Sequence, residues 1–374
     1  MKMQIYQFRQ LAYRFLVILS VVSLLASCEL LPSGTSKNSD GGQAFPSAES
    51  SQPEVLEAPV LPPVFGTSLL NPLDVPRPYL TDTCRYLRNK WNSSSAEPGT
   101  VVMIVLIKGV SRGGVDEPDG IAAIELPIFI NEIKAQGFVA ITTRQLQAFM
   151  ERNVRIPPRS VLIVQDGSQD ADYFEKIYGE YWRSWGWPVV NGWVNDPDLE
   201  EDMIRGNLEL ERSGFVDHQA GGVFPTARLS DESAKNVIAR ELQGSVQGLA
   251  DHFSKNPIAI IWPNGGFGIR PVEAARQLRF KLGITQNARG PLMYNWVPLA
   301  DEYDPLRPNL IPEGRTNVPL MTLPSFSPGE AWAALDAIRA IGKEAADYHL
   351  ANKEIEYEYY RVVCEDEYGR IPSP

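Results

Sequence analysis

The sequence predicts an α/β domain folded as a (β/α) barrel, and three observations predict it. Short, uninterrupted β-branched runs such as Val101–Ile107 alternate with stretches of helical spacing. A run with no polar alternation is what a strand buried on both faces requires. The β-then-α order recurs about six to eight times, which favours a closed parallel barrel over an open sheet. Polar clusters also stand where runs end: Gln165-Asp166-Gly167, Asp217-His218 and Asn264-Gly265-Gly266. In barrels the chemistry gathers at the C-terminal ends of the strands.

The elements follow from the N-terminus onward. Lys2, Arg9 and Arg14 precede an apolar run, Phe15 to Ala26, with no acidic residue before it. The run is shorter than the roughly 20 apolar residues of a membrane-crossing helix, so residues 1–27 read as a signal peptide. Leu25-Ala26-Ser27-Cys28 resembles the bacterial lipobox. That resemblance implies cleavage before Cys28, a diacylglycerol on its sulfur, and a protein held at a membrane of the bacterial cell envelope, facing periplasm or exterior. Residues 28–65 are rich in Ser, Gly, Pro and Glu, too polar to build a core, and read as a disordered tether. Residues 66–374 remain as the folded domain. Of the three cysteines, Cys84 and Cys364 stand near its two ends and are expected to pair in an oxidising compartment. The alternative is two unrelated thiols.

Within the domain, strands are expected at Val101–Ile107, Phe138–Ile141, Val161–Val164, Pro188–Trp193, Phe215–His218, Ile258–Trp262, Leu282–Thr285 and Val318–Thr322. Helices are expected at 126–136, 143–152 with Thr143 as cap, 173–185, 199–212, 231–253, 272–280 and 328–349. The net charge of −11 argues against nucleic acid or another polyanion as partner. No serine-nucleophile elbow, phosphate-binding loop, Cys-x-x-Cys or dinucleotide fingerprint occurs.

In order and spacing, several segments resemble the polysaccharide deacetylases of the NodB-homology kind. They are Phe129–Leu146, Ile156–Asp170 with Gln165-Asp166-Gly167, Gly186–Trp193, Arg212–His218, and Trp262–Gly268. The resemblance covers about residues 100–290. It implies a distorted barrel of the polysaccharide-deacetylase (NodB-like) type. It also implies hydrolysis of an N-acetyl amide, a non-peptide C–N bond, by a zinc-like divalent ion on one Asp and two His. A second Asp would be general base and a later His general acid.

Carried onto this chain, the metal ligands fall on Asp166 and His218, and the base position falls on Gln165. The second ligand position, four residues past His218, is Gly222, which has no donor. A carboxamide cannot take up a proton near neutral pH. The metal site is therefore incomplete, since zinc enzymes normally supply three protein ligands. Asp170, Asp172 and Asp217 could build a more oxygen-rich site, or be solvated residues. Of the three histidines, His252 reads as structural, and His349 lies in the last helix, a poor match for the acid.

Trp193, Trp262 and Asn264 adjoin strand ends and are candidates for holding a sugar; for both tryptophans core packing is the competing reading. Trp182 and Trp185, at helical spacing, read as core. The expected function is a lipid-anchored envelope protein that binds or helps to assemble an N-acetylglucosamine-type polysaccharide, with impaired or lost catalysis. Partner proteins of exopolysaccharide export are a further expectation. The alternative is an active metal-dependent N-deacetylase with a rearranged site.

Overall fold

The computed structural model describes residues 57–111 and 119–372. The signal peptide, Cys28 and the tether up to residue 56 lie outside the described residues. Among those described, no helix is long and apolar enough to cross a membrane.

Helix α1 (Thr83–Trp91) is capped by Asp82, whose side chain accepts from the Arg85 amide. Strand β1 (Val101–Ile107) is buried at every position, as its uninterrupted apolar sequence requires. There follow α2 (Leu126–Ala135), β2 (Val139–Ala140), α3 (Thr143–Arg152) and β3 (Arg159–Asp166). The cap of α3 is Thr142 rather than Thr143. It forms a reciprocal box with Gln145, and Thr143 begins the helix proper. The expected helix 173–185 is two, α4 (Ala171–Ile177) and α5 (Gly179–Trp185), meeting at Tyr178. Next come β4 (Val189–Trp193), α6 (Glu201–Ser213), β5 (Val216–Ala220), α7 (Lys235–Phe253), β6 (Ala259–Ile261), α8 (Ile269–Gln277) and β7 (Leu282–Ile284). Helices α9 (Pro328–Ala351) and α10 (Lys353–Tyr359) lead through a π-helical turn (Tyr360–Cys364) to a short α11 (Glu365–Tyr368).

The strands pair in parallel in the order β7-β6-β5-β4-β3-β1, with short β2 also on β3. The expected strand at Val318–Thr322 is instead a 3-10 turn, Pro319–Met321. The segment just after it closes the barrel. Leu323 bridges Ile284 of β7, and Phe326 bridges Val105 of β1, both in parallel. Pro324 between them has no amide hydrogen, so the ladder stays broken into isolated bridges.

Closure divides the apolar residues by parity. Val102, Ile104, Leu106, Leu162, Val164 and Ile261 meet inside with Leu323. Met103, Val105, Ile163 and Val216 face outward under α2, α9 and α5. Each large aliphatic side chain so buried contributes about 1.5–3 kcal/mol. Helix α9 lies close on the start of β1, because a Cβ at Gly342 would stand 2.9 Å from the Gly99 carbonyl.

The base of the barrel is tied across the whole chain. Cys84 on α1 is bonded to Cys364, with sulfurs 2.05 Å apart and 280 residues between them. The buried Lys90 ammonium pairs with Glu356 at 2.7 Å, and the Trp91 indole donates to the same carboxylate. Residues 61–65, expected to belong to the tether, are packed. Tyr348 donates its hydroxyl to the Pro63 carbonyl, Trp296 its indole N–H to Phe65, and the Phe65 ring is buried. The folded region therefore begins before residue 66. On the flank, Arg289 is buried between Asp74 and Glu313, fastening the loop after β7 to the antiparallel pair 75–77 and 297–299.

Candidate functional site

Register settles which motif residues can meet. Asp166 pairs with Gly192 and Gly192 with Gln219, whereas Gln165 pairs with Asn191 and Asn191 with His218. Side chains at paired positions share a face, and successive residues alternate. Asp166 therefore points into the barrel mouth, and Gln165 and His218 point out, under the helices.

The contacts agree. Asp166 is partly exposed; its Oδ2 accepts from Gln286 Nε2 at 3.3 Å, and its Oδ1 lies 3.3 Å from where a Gly192 Cβ would be. His218 is fully buried. Its Nδ1 lies 3.0 Å from Glu211 Oε2, its Nε2 3.0 Å from Asn207 Oδ1, and its ring stacks on Phe253 at 4.3 Å. Burial pushes the imidazole below its ordinary pKa, against the pull of Glu211. Burial works to raise the Glu211 carboxyl, but His218 and Lys255 outweigh it and hold it low. Lys255 joins Glu211 to Asp217 at 2.6 and 2.7 Å, completing a closed polar knot between α6, α7 and β5.

The expected ligand pair of Asp166 and His218 is thus corrected: a sheet stands between them, and both ring nitrogens are engaged. Gln165 is corrected as well. It is fully buried, accepts from the Tyr173 and Tyr178 hydroxyls at 2.9 and 3.0 Å, and donates to the Lys108 carbonyl. It fastens the start of the α4–α5 layer to the sheet and holds no position for a general base. At Gly222, φ is +99° and a Cβ would stand 2.9 Å from the Pro263 ring, so the space of a second ligand is filled. Among the described residues, no group of three His, Cys, Asp or Glu could hold a metal ion. The donor set does not fit a zinc-like ion.

Trp193 and Trp262 are also corrected. Both are fully buried on the outward face; Trp193 packs edge-on against His218 and Phe253, and Trp262 donates its indole N–H to Met321 O at 2.7 Å. Neither offers a face to a sugar. Asn264 is exposed at the mouth, in left-handed conformation, and donates to the Pro225 and Ala227 carbonyls, stapling the turn after β6 to the loop after β5. The mouth also carries Lys108, just past β1, paired with Asp119 at 2.8 Å. Lys108 and Gln286 were missed, although both stand within two residues of a strand's C-terminal end, the same signal that singled out Asp166. As it stands, the mouth supplies an acceptor in Asp166 and donors in Gln286 and Lys108. That suits hydrogen bonding to a polar, uncharged ligand.

No family model and no curated protein sequence matches the chain. Among solved structures it is similar to the Streptococcus pyogenes deacetylase PplD in complex with acetate, at 15% identity over 64% of this chain and 99% of that one, TM-score 0.48. It is similar to IcaB from Ammonifex degensii at 13% identity, over 66% of this chain and 99% of that one, TM-score 0.48. It is also similar to a polysaccharide deacetylase from Bacillus cereus at 12% identity, over 63% and 69% of the two chains, TM-score 0.47. These are likenesses of fold, and the fold, on its own strand order and closure, is a distorted (β/α) barrel.

Proposed function

We propose that this chain is a lipid-anchored protein of the bacterial cell envelope, of the polysaccharide-deacetylase kind, that binds or helps to assemble an N-acetylated glycan and leaves its amide intact. The observation that carries the loss of catalysis is the placement of His218, locked by Glu211 and Asn207 on the face of the sheet opposite Asp166. An ion at the mouth would have Asp166 without that imidazole, and Gln165 offers no base. What remains at the mouth is a hydrogen-bonding surface. Asp166 accepts from sugar hydroxyl or acetamido N–H groups, and the carboxamide of Gln286 donates to their oxygens.

Purified protein incubated with poly-N-acetylglucosamine tests this reading. Retention of the polymer, with acetate release no faster than in its absence and unchanged by a chelator, is the expected result. Chelator-sensitive acetate release rejects the reading, and so does failure to retain the polymer. The anchor is tested separately by Cys28→Ser, which is expected to move the protein from the membrane to the soluble fraction. An unchanged membrane fraction would remove the lipid from the proposal.

A further inference from the structure

At the base of the barrel, the first described residues run beside the last helices. Leu61 packs with Tyr360 and Cys364, and the Phe65 ring lies 5.6 Å from that of Tyr348. Apolar side chains stand exposed around these contacts: Val60 at 86%, Val64 at 54%, Leu350 at 58% and Val363 at 46%. Each is within two residues of one of the contacts, so they share one end of the molecule. Exposed apolar residues scattered singly need no explanation, whereas a group of them marks a surface that meets something. Tyr357 and Tyr359, half-buried at the same end, have the apolar ring and polar tip that suit a boundary between water and hydrocarbon. Charge narrows the partner. Glu365 is paired with Arg370, but Glu354, Glu358, Asp366 and Glu367 are exposed without an ion-pair partner among the described residues, and they outnumber Lys353 and Arg361 on the same stretch. An anionic surface would be repelled here; one that presents ammonium groups would not. The tether joins the domain at this patch, and lipid on Cys28 would keep the tether at a bilayer.

We propose that this patch rests on the headgroup layer of a zwitterionic bilayer and turns the mouth away from the membrane that holds the anchor. The proposal builds on the lipid anchor and adds an orientation to it. Carboxylates of α10 and α11 meet the ammonium groups of phosphatidylethanolamine, while Val60, Val64, Leu350 and Val363 enter the boundary below them. So few side chains bury too little area to retain the protein by themselves. The lipid holds the domain, and the patch sets which end faces out.

The test uses the full chain, its lipid on Cys28 confirmed by mass, in vesicles of phosphatidylethanolamine and phosphatidylcholine. A spin label is placed at Leu350→Cys on the base or at Asp198→Cys, an exposed position in the loop after β4 at the mouth. A water-soluble nickel complex broadens labels that water reaches. In the soluble Cys28→Ser chain both labels are expected to broaden. On the vesicles the label at 350 is expected to lose its broadening and the label at 198 to keep it. Replacing half the lipid by phosphatidylglycerol, or adding Val64→Asp and Val363→Asp together, is expected to restore the broadening at 350 with the lipid still attached. Broadening at 350 that vesicles leave unchanged, shielding of both labels alike, or stronger shielding with phosphatidylglycerol overturns the proposal. Shielding at 350 already in the soluble chain assigns the patch to the tether or to a second copy, and overturns it as well. A chain found without lipid removes the anchor reading and the proposal together; a lipidated chain with an exposed label at 350 removes the proposal alone.

Discussion

At the base of the barrel, a disulfide, a buried ion pair and a packed N-terminal segment tie the first helix of the domain to its last. At the mouth, one partly exposed carboxylate meets one carboxamide, with glycines at 192 and 265 beside them. The base holds charge away from water and surrounds it with partners. The mouth holds polar groups in reach of water. The difference separates what keeps the fold together from what can meet a ligand, so substitutions at the two ends should have opposite signatures.

The sharpest break of that contrast is Glu356→Ala. It strands the Lys90 ammonium, which burial already pushes below its ordinary pKa against the pull of Glu356. A loss of about 3–5 kcal/mol in urea unfolding is expected, with glycan retention unchanged for the fraction that remains folded. Replacing Cys84 and Cys364 by serine together should cost about 2–5 kcal/mol, read by the same unfolding midpoint. His218→Ala leaves Asn207 and Glu211 facing a void and should cost about 2–3 kcal/mol. Because His218 stands behind the sheet, glycan retention should not change, and a selective loss of retention would return this residue to the mouth. Asp166→Asn is expected to alter stability by less than about 1 kcal/mol and to lower glycan retention. An unchanged retention would remove Asp166 from the binding surface.

The base also sets a pH dependence. His349 is held near 3 in the folded protein and titrates near 6.5 when unfolded. Between those values the unfolded chain binds a proton that the folded one does not, so stability is full above about 6.5 and falls as pH drops toward 3. Buried His218 is shifted in the same direction and adds to the slope. His349→Gln should flatten the fall in unfolding midpoint between pH 7.5 and pH 5 without abolishing it; an identical slope would place the acid sensitivity elsewhere.

Much of the barrel was legible because β1 reads as a run of apolar residues with no break, and α9 carries its own start signal in Ser327, Pro328 and Glu330. The site was legible only in part. That Asp166 ends a strand and that His218 lies on one could be read, but which face each takes depends on inter-strand register, which runs buried on both faces, with no polar alternation, do not display. The same ambiguity hid the tryptophans: an indole beside a strand end is equally suited to a cleft or to the layer under the helices. The closing segment was misplaced by a few residues because Val318–Thr322 is the more apolar stretch, whereas Leu323–Phe326 makes only isolated bridges. The break at Tyr178 has a local mark in Gly179, a weak helix former, and the Tyr178 hydroxyl is held by the Gln165 carboxamide.

The closing segment has a consequence for how the protein comes to be. Residues 323–326 must slot between the first and last barrel strands, and the cystine partner of Cys84 arrives 280 residues later. Strand pairs with such wide sequence separation form slowly. A chain emerging in order from N- to C-terminus can neither close the barrel before residues 323–326 have appeared nor form the cystine before Cys364 has.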